Sequence, residues 1–110
     1  MSGFKVIKKK DARIFFEGKE MCREYFATEK ITFGTSRLFP GEEGAVDPGH
    51  SEAHEVFFVV RGRVVMTNEN GLFVELEEGD ALLVSETVPH KIINIGEQIA
   101  LLSWSCAPKP

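Results

Sequence analysis

The chain of 110 residues holds only two cysteines, Cys22 and Cys106, far apart and in no Cys-x-x-Cys pair. That argues against a disulfide scaffold and against a dithiol redox motif. A Cys22–Cys106 bridge has little support, and both read as small buried hydrophobes in a reducing, cytoplasmic setting. Positive charge is not in excess. Thirteen Lys and Arg stand against 17 Asp and Glu, for a net charge of −4. This leaves no electrostatic footprint for nucleic acid. The one basic run, Lys8-Lys9-Lys10, sits beside Asp11 and reads as a solvated turn. No apolar run approaches the ~18 residues of a membrane span. The opening MSGFKVIKKK lacks the apolar centre of a signal peptide. There is no internal repeat, low-complexity segment or linker. Nor is there a glycine-rich phosphate loop or a nucleophile–base constellation.

What is present is period two. Hydrophobic residues make up 43% and charged residues 27%, an ordinary globular mix at the length of one domain. Short strand-like runs begin at Phe4–Lys8 and Arg13–Phe16. They continue through Tyr25–Ala27, Ile31–Phe33, Arg37–Phe39, Val56–Val60, Val64–Thr67, Leu72–Leu76, Ala81–Val84, Lys91–Asn94 and Ile99–Trp104. Gly or Pro punctuates nearly every gap. Asn68–Gly71 carries the Asn-Gly signal of a hairpin turn, because both residues tolerate positive φ. Only Lys19–Tyr25 is helix-like, and it is short. About ten short strands predict an all-β sandwich or barrel.

All three histidines lie in two places: His50 and His54 before one strand, His90 at the start of another. Imidazole and carboxylate together suit Zn, Mn, Fe, Ni or Cu. Strand parity then restricts the ligands. Glu55, Phe57 and Val59 share one face, while His54, Val56, Phe58 and Val60 share the other. His54 and Glu55 therefore do not both face one ion unless a bulge intervenes. Parity favours Glu55, with His54 kept as a substitute. His50, in a Pro-Gly loop, is free to turn either way. His90, Ile92 and Asn94 share a face. Each residue also has a plainer role. His50 could cap nearby backbone, His54 could be a surface residue, and His90 could bond a turn. Glu55 is harder to dismiss, since an unpaired buried carboxylate is costly.

Two stretches resemble the paired motifs of cupins. Glu55-V-F-F-V-V-R-Gly62 has the Glu-x6-Gly spacing that closes the first motif. Gly79-D-A-L-L-V-S-E-T-V-P-His90-K-I-I-Asn94 has the Gly, His and Asn spacing of the second. Only residues 63–78 separate them, as in compact microbial cupins, and the stretch after Gly49 is similar to the germin-type variant. The resemblance implies a double-stranded β-helix, a jelly-roll barrel of two packed antiparallel sheets. One such domain would span 1–110, with N-terminal strands in about 1–30, the first motif in about 44–62 and the second in about 79–94. It further implies a divalent transition metal (Mn, Fe, Ni or Zn) on His50, Glu55 and His90. Three departures stand out. Pro48 occupies a usual histidine-ligand position, Ser85 stands where Pro is usual, and Thr87 where Gly is usual.

Three functions follow as alternatives. The first is a small metalloenzyme acting on a polar organic molecule, a sugar or a carboxylic acid. The second is a non-catalytic module that binds a small molecule. The third is a metal-free dimerisation barrel. Arg37 is a candidate to hold a substrate carboxylate, though a surface role competes, and Phe57 is a candidate pocket wall. Asn94 is expected to bond backbone at a strand end, and Trp104 to sit in the core. A homodimer is expected, because Val56–Val60 and Ile99–Leu102 are apolar on both faces and one sheet buries only its inner face.

Overall fold

Alternation along the sequence becomes alternation between inside and outside. A computed structural model describes residues 3–110. Nine strands form among them: β1 (Arg13–Glu17), β2 (Glu20–Ala27), β3 (Thr32–Leu38), β4 (His54–Arg61), β5 (Arg63–Thr67), β6 (Phe73–Glu77), β7 (Ala81–Val84), β8 (Lys91–Asn94) and β9 (Ala100–Ala107). They make a six-stranded sheet, β1-β2-β3-β9-β4-β7, and a three-stranded one, β6-β5-β8, with every pairing antiparallel. This is the double-stranded β-helix.

The core lies between the sheets. Leu38, Val59, Val64 and Leu102 are completely buried, and each contributes roughly 1.5–3 kcal/mol on leaving water. Cross-strand rows run over the inner face of the larger sheet. One row is Thr32–Cys106–Glu55, the next is Gly34–Trp104–Phe57, and a third is Cys22–Ser36–Leu102–Val59. The first row is polar and builds the site. The third is mostly apolar and closes the barrel behind it. On the β1 side the sheets are joined through residues 43–47, by bridges between Gly18 and Gly44, Glu43 and Ile93, and Asp47 and His90.

Asn68–Gly71 forms the turn between β5 and β6, with Gly71 at a φ of 79°. Asn94 is buried and its Nδ2 donates to the carbonyls of Leu38 and Gln98. Lys9–Asp11 form an exposed single 3-10 turn. Among the described residues, no helix is long and apolar enough to cross a membrane.

Two local expectations are corrected. In Lys19–Tyr25, Lys19 is in the turn after β1 and the rest is strand, supplying most of β2. Pairing on both edges, with β1 and β3, and burial of Met21 and Cys22 outweigh helix-friendly residue types. Phe4–Lys8 is not strand. The sheet edge begins at Arg13, and Phe4 and Val6 remain 86% and 70% exposed. Period two orders a strand by burying one face, and here neither face is covered.

Candidate functional site

β4 presents its residues in strict alternation. Glu55, Phe57 and Val59 are buried, while His54, Val56, Phe58 and Val60 face out. His54 pairs through Nε2 with Glu86 on the outside of the barrel. Glu55 enters the interior beside Cys106, its direct partner on β9.

The loop before β4 brings in two more groups. Gly49 has a φ of 91°, and a Cβ there would lie 2.8 Å from the backbone N of Val88. The loop thus passes tightly under residues 87–88, and the Thr87 N–H donates to the His50 carbonyl at 2.8 Å. Thr87 itself has a φ of 64°, unlike any other non-glycine residue described, which is the physical reason glycine is usual at that place. Two backbone hydrogen bonds tie Asp47 to His90, at 2.8 and 2.9 Å. The Gly49 N–H donates to Asp47 Oδ1 at 2.8 Å, leaving Oδ2 turned to the site.

Four side chains converge there. His90 Nε2 lies 3.0 Å from Glu55 Oε1 and 3.7 Å from Asp47 Oδ2. His50 Nε2 lies 3.5 Å from Glu55 Oε1 and 3.8 Å from Asp47 Oδ2. Donors about 2.1 Å from one ion at tetrahedral angles are separated by about 3.4 Å. These histidine–carboxylate spacings bracket that value, and imidazole with carboxylate is a donor chemistry suited to a divalent metal; each close group of three holds one of the two histidines. The ligand atoms of Asp47, Glu55 and His90 all lie within 4.8 Å of one another, and so do those of His50, Glu55 and Cys106.

The orientation of His90 is fixed from behind. Its Nδ1 lies 2.9 Å from the Val88 carbonyl, so in the neutral ring Nδ1–H donates there and the Nε2 lone pair faces Glu55. Phe57 meets the ring edge-on at 5.6 Å. Burial opposes a charge on this imidazole. The hydrogen bonds to Glu55 and Val88, and the charges of Glu55 and Asp47, outweigh it and raise the pKa from 6.5 to about 8.

The site opens into a cavity of about 160 Å³ walled by Phe15, Phe57 and Trp104. Gly34 makes room for the wall, since a Cβ at that position would lie 2.3 Å from the Trp104 ring. Further carboxyls line the cavity. Glu17 is raised to about 7 by burial and then by repulsion from Glu20, Asp47 and Glu55. Glu20 is buried and also raised, chiefly by burial, although it accepts hydrogen bonds from Ser36 and Cys22. Cys106 is free and buried, its thiol pushed up to about 12 by burial and then by Glu55. Cys22 is also free and buried. Cys22 pairs across to Ser36 and Cys106 to Thr32, positions roughly 13 Å apart along β3. That is too far for a disulfide.

Arg37 is corrected. It alternates with the inward Ser36 and Leu38, points off the outer face, and stacks its guanidinium 4.8 Å from the Phe39 ring. It does not reach the cavity. Asp47 and the carboxyls of Glu17 and Glu20 were missed in the sequence. Asp47 adjoins Pro48, at the position where a histidine was sought. Glu20 falls in the helix-like patch. Reading Glu20-Met21-Cys22 with period two would have put Glu20 and Cys22 on one face.

The fold has close counterparts. A double-stranded β-helix domain protein from Klebsiella pneumoniae superimposes with a TM-score of 0.82 at 18% identity, over 96% of this chain and 91% of that one. A "predicted oxalate decarboxylase" from Thermotoga maritima gives 0.79 at 17% identity, over 94% and 99%. In sequence, 61 residues are 38% identical to an uncharacterised protein of Methanocaldococcus jannaschii, covering 56% of this chain. The match spans about half (47%) of that relative's length. The cupin domain model matches residues 34–106, well over half the chain and the stretch that builds both the inner face and the histidine cluster. With both motifs, the two-sheet barrel and this match in agreement, the chain belongs to the cupin family.

Proposed function

We propose that this cupin holds a divalent transition metal on His50, Glu55 and His90, with Asp47 as the fourth donor, and acts on a small neutral, hydroxyl-rich molecule of the sugar class. One observation carries the reading: at a cavity wall each of two imidazole nitrogens lies 3.0–3.8 Å from each of two carboxylate oxygens. Asp47 makes good the donor that Pro48 lacks. When bound, such an ion supplies Lewis acidity to a ligand oxygen. The chain's own residues do the rest. Val88 fixes the His90 tautomer, Phe57 and Trp104 exclude water from one side, and Glu17, close to half protonated near neutrality, gives or takes a proton at a ligand hydroxyl.

The cavity lining favours a sugar over a carboxylic acid. Glu17, Glu20, Glu24, Asp47 and Glu55 all line it. Lys91, also in the lining, has its ammonium 3.0 Å from Glu43, and Arg37 lies outside. A carboxylate ligand would thus meet mostly acids. A homodimer belongs to the same reading. The outer face of the six-stranded sheet carries exposed Ile14, Phe16, Val56, Phe58, Val60 and Leu83, an apolar surface of the kind a second copy covers.

The test is a set of thermal melts with and without Mn, Fe, Ni or Zn, beside metal analysis of the purified protein. Ions that bind the native state raise its melting temperature. Glu55→Ala should abolish the rise with every ion and His90→Ala the rise with Mn, and His54→Ala should keep most of it. A wild type with no metal-dependent rise would leave a metal-free, ligand-binding barrel as the better account.

A further inference from the structure

The donors at the cavity wall form two overlapping sets that share Glu55. One is Asp47–Glu55–His90, with oxygen in the majority. The other is His50–Glu55–Cys106, which includes a sulfur. We propose that Cys106 is a second-mode metal ligand, so that thiophilic divalent ions draw the Cys106 thiolate in beside His50 and Glu55 while harder ions stay on the set of Asp47, His50, Glu55 and His90 proposed above. The inference rests on the metal reading given above.

Three observations support it. Cys106 stands directly across from Glu55 in the β4–β9 register, so both side chains emerge on the same inner face. It is 3% exposed and lines the same cavity as both histidines. The three ligand atoms lie within 4.8 Å of one another, near enough for a small side-chain adjustment to bring them onto one ion. Ligand type sorts the ions. Thiolate and imidazole favour zinc and cobalt, whereas carboxylate-rich sets suit manganese. The step is a proton exchange with no redox change. The S–H bond breaks, its proton leaves to water, and the sulfur lone pair forms the bond to the ion.

Cobalt(II) titration of the full chain provides the test. A thiolate on cobalt gives an intense near-ultraviolet charge-transfer band, separate from the weak visible bands of any bound cobalt. The band is expected in wild type and in Cys22→Ser, and absent in Cys106→Ser. Cys106→Ser should weaken zinc by roughly tenfold or more and leave manganese within about twofold. Visible cobalt bands in wild type without the charge-transfer band would overturn the Cys106 role and leave the metal reading standing. Persistence of the band in a folded Cys106→Ser, or its loss in Cys22→Ser alone, would overturn it equally. Absence of any cobalt binding would overturn both readings. Should Cys106→Ser fail to fold, the wild-type band and its retention in Cys22→Ser still decide the question.

Discussion

His90 gives the metal-free protein a pH dependence of known sign. Its folded pKa is raised from 6.5 to about 8, so the folded chain binds a proton here that the unfolded chain releases earlier. The stabilisation is fully present below about pH 6.5 and lost as pH rises through about 8. The size of the rise corresponds to roughly 2 kcal/mol. The imidazole is only 4% exposed, and its partner Glu55 5%, so little of this is screened by solvent. Glu17 adds a loss of the same sign, because its raised pKa costs stability as pH climbs from 4.5 to about 7. Its share is removed by carrying Glu17→Gln in every protein compared. The assay is urea unfolding in chelator at about pH 6 and about pH 9, with and without Glu55→Gln. With Glu55 in place the loss should be roughly 2 kcal/mol across that range. Glu55→Gln keeps a hydrogen-bond acceptor but not the charge, and should lose much less. Because an ion needs the neutral ring, metal affinity should rise with pH until about 8. Equal losses in the two proteins, or none with Glu55 in place, would refute the His90–Glu55 argument.

Other outcomes follow from the same geometry. Gly34→Ala places a Cβ 2.3 Å from both the Arg23 carbonyl and the Trp104 ring; calorimetry should show a loss of about 1–3 kcal/mol. Glu17→Gln should raise stability at about pH 8 and change little near pH 4, because it removes a carboxylate whose charged form the cavity disfavours. Light scattering should report a dimer at micromolar concentration, and charged substitutions at Phe58 and Val60, exposed at 42% and 48%, should shift it to monomer.

The fold was legible because its strands obey period two where they are half-buried. Glu55 inward and His54 outward follows from parity alone, and β4 keeps that parity through Val60. Legibility failed where tertiary pairing decides. Glu20, Met21 and Cys22 look helical in isolation and become strand only when β1 and β3 flank them. Arg37 stayed open between cavity and surface because its facing depends on the register of β3 against β9, which no local pattern reports. Asp47 was invisible for a related reason: its proximity to His90, far along the chain, rests on the bridge between residues 47 and 90.

That bridge makes the loop's path independent of its side chains. Backbone hydrogen bonds hold residues 44 and 47 against Ile92 and His90. Whatever side chain stands at 47 is therefore carried to the two histidines by main chain alone. With proline at 48, Asp47 still sets Oδ2 3.8 Å from His50 and 3.7 Å from His90. A search for histidine–carboxylate clusters by residue pattern passes over position 47, and a search by atom positions in space finds it.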